Sequence, residues 1–252
     1  MAEIVNLGSL YLNGQPKDPG VEYNGEVFSF GNTDPERPIP FVRWGELLVA
    51  SQCVCINISW EQLSMAGYIF GRPVKINGTP YICRSLKVGE MEGAPNEWDS
   101  ILDELGEDDS LWHWMGKYFW GQEAKTPWRP FRAVRGYSSA RRWCDFESEF
   151  QNVNVGFRPV LEQLPPDPLL TDSSVGHYLI VYGPDGSIAG ELVEFSDYDL
   201  VMQPSAWQKV DPDCKWASIV GNNIVIDKTA VVWIEKGWGI HGRNDSPGVS
   251  AI

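Results

Sequence analysis

Turn signals recur along this chain at Asn13-Gly14, Asn77-Gly78, Pro184-Asp185-Gly186 and Asn222-Asn223, and they cut it into short apolar, β-branched runs. An Asn-Gly pair supplies the two positive φ angles of a tight type I′ turn, so each such site favours a hairpin over a continuing helix. Residues 5–13 read as a strand ending in the first turn. "FVRWGELLVA" and "CVCINISW" read as paired strands of one sheet, and "PVKINGTPYICRSL" as a hairpin. Further on, "HYLIVYG", "SIAGELVEF", "WASIVG", "IVID" and "AVVWIEKGW" alternate with turns as a small all-β module.

Helical signals are few. Ser59 precedes Gln62 at capping-box spacing, which predicts a short helix ending near Gly67. From Asn96 the period changes: Trp98, Ile101, Leu102 and Leu105 fall on one helical face, with Asn96 as N-cap and Gly106 as stop. The acidic residues Asp99, Asp103, Glu104, Glu107, Asp108 and Asp109 lack EF-hand spacing, so a solvated helix face and an acidic loop are expected there.

With 34 acidic against 20 basic residues the net charge is -14, which disfavours direct nucleic-acid binding or attachment to anionic membranes. Twelve tryptophans, eighteen prolines and twenty-five glycines suit a loop-rich fold. The five cysteines, Cys53, Cys55, Cys83, Cys144 and Cys214, include no CxxC. Cys53 and Cys55 are expected on one face of one strand as buried free thiols, in a reducing compartment or an assembled particle. The first residues lack the pattern of a signal peptide, and no run approaches the roughly 18 apolar residues of a spanning helix. Synthesis in a bacterial host cytoplasm, followed or not by incorporation into a virion, is the expected setting. The Pro-, Asp- and Ser-rich residues 163–176 are expected to link a domain over 1–162 to the β module over 177–252.

Few residues propose chemistry. "GWGIHG" has nucleotide-loop glycines but too little chain beyond it for the required helix. His113, His177 and His241 are scattered, so no metal site is expected, and no cofactor. Cys144 stands near Arg141 and Arg142 without a recognisable base, and is not read as a nucleophile. Arg132, Arg135 and Arg158, set among glycines and apolar residues, are expected to pair with carboxylates or stack on tryptophans.

The ordered phrases W-x-W-x-x-x-Y-F-W-G (112–121), R-A-V-R-G-Y (132–137) and V-G-F-R-P-V-L (155–161) resemble the C-type-lectin-like fold in its formylglycine-generating-enzyme branch, and with the beginning "NLGSLYLNG...PFVRWGELLVA" the chain more narrowly resembles phage and prophage proteins. The resemblance implies an α+β domain, with short helices and long loops on a twisted antiparallel sheet closed by the "GFRPVL" strand. Enzymes of the family use a cysteine pair or a histidine-rich iron site, whereas this region offers Cys144 alone. A metal-dependent oxidising enzyme is therefore the least favoured reading. The resemblance instead implies a non-enzymatic phage structural or adhesin-like protein whose ligand surface precedes the closing strand. By position that surface comprises Tyr137, Ser138, Arg141, Trp143, Asp145, Phe146, Glu147, Glu149, Phe150 and Gln151. Expected partners are a host surface protein or glycan, or other phage structural proteins, with the chain as a homo-oligomer. The alternative is an intracellular phage inhibitor of a host defence protein that uses an acidic surface.

Overall fold

The computed structural model describes residues 2–124, 130–184, 186–204 and 214–237. The chain divides into two compact units, Met1–Pro165 and Pro166–Ile252. Unit 1 begins with β1 (Ile4–Asn6), β2 (Ser9–Leu12), β3 (Gln15–Lys17), β4 (Val21–Glu22) and β5 (Phe28–Gly31). It continues through β6 (Pro40–Trp44), β7 (Leu47–Ala50), β8 (Cys55–Ile56), α1 (Trp60–Met65), β9 (Arg72–Ile76) and β10 (Thr79–Ser85). Then come α2 (Glu97–Leu105), α3 (Asp109–Trp112), β11 (Tyr118–Ala124), β12 (Phe131–Gly136), β13 (Trp143–Glu147), β14 (Val155–Phe157) and β15 (Pro159–Gln163).

Three sheets result, ordered β1-β6-β7-β15-β10-β9, β13-β12-β11-β14-β8-β4 and β3-β2-β5. Pairing is antiparallel except β11 with β14 and β4 with β8. The expected α+β, C-type-lectin-like architecture is not formed. With the second unit included, the described residues hold twenty-one strands in four sheets and three short α-helices, so the chain is mostly β. The reason lies in the period of the apolar residues, which is helical over a useful length at α2 alone.

The "GFRPVL" phrase is not one closing strand. Phe157 pairs with Cys55 in the second sheet, whereas Val160 pairs with Val49 in the first, and Arg158 sits at the crossover between them. "CVCINISW" likewise does not pair with "FVRWGELLVA". The latter folds back on itself as β6 and β7, and Cys55–Ile56 enters the other sheet. Nor do Cys53 and Cys55 share a face, because Cys55 packs with Phe157 and Trp120 while Cys53 joins the cluster around Trp98. All the cysteines are free.

Local signals translate directly. Ser59 and Gln62 form a reciprocal capping box on α1. Asn77 and Gly78 take φ of 50° and 82° between β9 and β10, as a type I′ turn requires. Asn96 caps α2, whose buried Trp98, Ile101 and Leu102 pack on Phe119, Val49 and Val160. Trp98 also donates its indole N–H to Ala140 O at 2.8 Å, fixing the helix to the loop before β13.

Glu97, at the start of α2, receives Arg84 through both terminal guanidinium nitrogens at 2.9 and 2.7 Å, and the Lys87 N–H at 2.9 Å. Burial raises its pKa, but these hydrogen bonds and the nearby charges outweigh burial and hold it below the ordinary carboxylate value. A depressed folded-state pKa stabilises above the unfolded pKa of about 4.3 and loses that contribution as pH falls through the folded value. Melting temperatures of wild type and Glu97→Gln should therefore differ most near neutrality and converge below about pH 4. A constant difference down to pH 2.5 would contradict this ordering.

Unit 2 contains β16 (Tyr178–Tyr182), β17 (Ser187–Phe195), β18 (Asp199–Pro204), β19 (Ala217–Val220), β20 (Asn223–Asp227) and β21 (Trp233–Lys236). They form one antiparallel sheet ordered β19-β20-β18-β17-β16-β21. Strand alternation puts Leu179, Val181, Ile188, Leu192, Leu200, Met202, Ile224 and Ile226 into one core with Trp216. Residues 163–176 are not simply a connector. Gln163 ends β15, Leu170 packs against the unit 2 core, and Asp167 accepts the Ile234 N–H at 3.0 Å. The "GWGIHG" phrase lies outside the described residues beyond Gly237. Among the described residues no helix is long and apolar enough to cross a membrane.

Candidate functional site

The segment before β14 has a period that its polar composition conceals. Trp143–Glu147 is β13, paired with β12 in the register Arg135↔Trp143 and Arg132↔Phe146. Successive side chains therefore alternate between two faces, and the run cannot present every residue to a ligand.

Trp143 is 9% exposed, packs in the Trp98 cluster and donates to Gly89 O at 2.9 Å, so its expected place on the surface is corrected. Arg141 points to Asp103 of α2 at 2.7 Å and to Glu107, just past the helix, at 2.5 Å. Asp99 lies 3.6 Å away. Asp103, Glu104, Glu107 and Asp108 remain exposed, as expected of a solvated face and acidic loop, while Asp99 at its edge also receives Arg135 and Arg141. Arg141 is engaged there and has little freedom to act on Cys144 or on a ligand. Asp145 is half-buried opposite Ala133. Gln151 is exposed but donates to Gln62 Oε1 at 2.7 Å, and Ser138, Glu147 and Glu149 are exposed.

The remaining three, Tyr137, Phe146 and Phe150, come together through a residue absent from the expected set. Tyr118 of β11 stacks on Tyr137 with centroids 4.9 Å apart and planes 7° apart. Phe146 meets the Tyr118 edge at 5.2 Å and 85°, and Phe150 covers Phe146 at 4.8 Å. Trp120 supports Phe146 from the core side at 6.2 Å. Each such ring pair adds about 0.5–1.5 kcal/mol beyond burial. Alternation along "YFWG" carried the signal for Tyr118, since it shares a face with Trp120. Locating Phe146 beside it required the long-range pairing of three strands.

The outer members of this group remain accessible: Tyr137 is 42% and Phe150 37% exposed. Tyr137 holds φ of 75°, fixed by its N–H, which donates to Trp114 O and Lys117 O. Gly136 before it cannot carry a Cβ, which would meet Lys117 O at 2.4 Å. Met115, 67% exposed, bridges to Tyr137, while Lys117 donates to Val153 O at 2.7 Å beside the 45%-exposed Val153. No family model matches this chain, and no curated protein or solved structure matches it. The functional reading therefore rests on the site itself: rings held in fixed orientation, with Glu147, Glu149, Ser138 and Gln151 among the polar residues flanking them in the chain.

Arg132 lies over the Trp60 ring at 4.3 Å, Arg135 pairs with Asp99 at 2.6 Å, and Arg158 lies over Phe119 at 4.7 Å. All three arginines thus have the stacking or pairing role expected from their apolar settings.

Proposed function

We propose that this chain is a non-catalytic binding protein that engages a protein partner through the Tyr118, Tyr137, Phe146 and Phe150 surface. The observation that carries this reading is the ring assembly, in which two buried or half-buried aromatics hold two exposed ones in place. Aromatic anchors held rigidly beside adaptable polar groups are what a binding hot spot needs, since little side-chain entropy remains to be lost. The exposed Met115 and Val153 favour a protein over a glycan, because they add apolar area without a stacking face. An inhibitor acting through an acidic surface draws less support from α2, where Asp99 is engaged by Arg135 and Arg141, Asp103 by Arg141 and Glu97 by Arg84.

The test uses the immobilised full chain and a surface extract of candidate host bacteria, with retained proteins identified by mass spectrometry. The Tyr137→Ser, Phe150→Ser double variant should lose the retained partner by about 30-fold or more in affinity, equivalent to a hot spot of about 2 kcal/mol. Its melting temperature should fall by no more than a few degrees, roughly the loss of two partly exposed ring contacts. Equal retention by wild type and variant would remove the basis of the proposal. Retention of glycans in place of proteins would reassign the partner class. The phage setting rests on the sequence resemblance alone, and is tested by looking for the chain in purified particles.

A further inference from the structure

A second feature of unit 1 is chemically unlike the aromatic surface. A cleft of about 260 Å³ is walled by Gln52 and Cys53 from the β7–β8 connection, Asp109 and His113 from the two ends of α3, and Met115 and Lys117 ahead of β11. Arg158 lies behind this wall and is fully buried. Its guanidinium donates to Ala50 O at 3.1 Å, Ser51 O at 2.8 Å and Trp112 O at 2.6 Å, while Nε has no partner among the described residues. Among the described residues no carboxylate forms an ion pair with it. Burial pushes its pKa down to about 10, and the groups that oppose this are Cys53 and Asp109, both of them in the cleft wall. Burial raises the Cys53 thiol, and the cations that oppose that rise are Arg158 and Lys117.

The cleft is therefore a locally cationic place in a chain of net charge -14. Two basic side chains, Arg158 and Lys117, face one carboxylate, Asp109, whose Oδ1 is already occupied by the Met115 N–H at 2.7 Å. Lys117 Nζ gives one hydrogen to Val153 O and keeps two. Among the described residues neither the His113 imidazole nor the Gln52 carboxamide has a hydrogen-bond partner. His113 is placed at the rim by its left-handed backbone, φ 43°, at the end of α3. The Cys53 thiol faces Tyr118 O at 3.5 Å and serves as wall rather than nucleophile. A buried cation without a counter-charge is costly, and an anion in the adjoining cleft would offset that cost.

We propose that this cleft binds a small oxyanion of the carboxylate or phosphate class. Lys117 Nζ, the Gln52 carboxamide and the His113 ring are its donors, and Arg158 supplies attraction from behind the wall. Binding occurs without a covalent step. The site borders the aromatic surface at Met115 and Lys117 but does not rest on the binding role proposed for it.

The test is calorimetric titration of the full chain with inorganic phosphate and, separately, with malonate, at ionic strength held constant with chloride. Melting temperatures are measured along the same series. At least one anion should bind saturably and raise the melting temperature, and the arm that responds assigns the anion class. Lys117→Met should weaken that binding by about tenfold or more, as removal of a charge-assisted donor does. Gln52→Leu leaves the charges in place and provides a second reading should Lys117→Met not fold; it too should weaken binding. No saturable response to either anion, or wild-type binding in the variants that fold, would overturn the proposal.

Discussion

Arg158→Ala should destabilise unit 1 by about 4 kcal/mol or more, enough to consume much of the 5–15 kcal/mol typical of a folded domain. Two effects compete at this position. The buried guanidinium is a cost, since its pKa is pushed down to about 10 by lost solvation, and deleting it relieves that cost. Against this, the carbonyls of Ala50, Ser51 and Trp112 lose their donor, and Trp98 and Phe119 lose a cation held 5.2 and 4.7 Å from their centroids. Each buried carbonyl left without a donor costs about 1–3 kcal/mol and a desolvated cation–π contact about 2, so the losses dominate. The residue also stands where the chain leaves one six-stranded sheet for the other, so a cavity there loosens both. Arg158→Lys should recover little, because an ammonium cannot stack flat while spanning the same carbonyls. The check is the urea midpoint by tryptophan fluorescence, and a midpoint for Arg158→Ala near wild type would show that the carbonyls find other donors.

Arg135→Ala should cost about 3–5 kcal/mol, as breaking one side of a buried ion pair does. Its guanidinium reaches Val88 O at 3.0 Å, Arg141 O at 2.6 Å and Asp99 Oδ2 at 2.6 Å, and its side chain is almost inaccessible. Asp99 is less buried and is also approached by Arg141, so Asp99→Ala should cost less. The double variant should be less destabilised than the sum of the singles by about 1–3 kcal/mol, because its second change removes a charge the first left unpaired. Urea unfolding of the four proteins measures this coupling. Strict additivity would mean that the two carbonyl bonds, and not the ion pair, account for the role of Arg135.

The parts of this fold legible in the sequence are those decided within a few residues. Ser59 with Gln62, Asn96 ahead of Trp98, and Asn77-Gly78 each specify their structure through neighbours, and the structure follows them. What was not legible depends on partners far apart. Arg141 and Glu107 are 34 positions apart, and nothing local tells that an exposed acidic stretch also receives arginines. The strand at Trp143–Glu147 was hidden because its faces carry a thiol, carboxylates and aromatics instead of an apolar alternation. The three ordered phrases behind the lectin-like resemblance do lie on or beside buried strands. Their order says nothing of which sheet each strand joins, and there the implied architecture failed. Of the ten residues carried over by position, Tyr137, just past β12, and Phe146 and Phe150, on and just past β13, share one ring assembly because all three gather around Tyr118 of β11.

The position of β15 between β7 and β10, with β14 between β11 and β8, has a consequence for synthesis. Seven of the strands in the two large sheets precede α2 in the chain, yet both sheets are bridged by its last ten residues before Pro165. While the ribosome works toward Gln163, β7 and β10 have no partner on their facing edges, and neither have β8 and β11. Unpaired edges are the surfaces through which nascent chains associate wrongly, and sheets closed late by distant segments are slow to complete. The same phrase that joins the sheets thus makes unit 1 a structure that forms late in its own translation, with its newest residues at its centre.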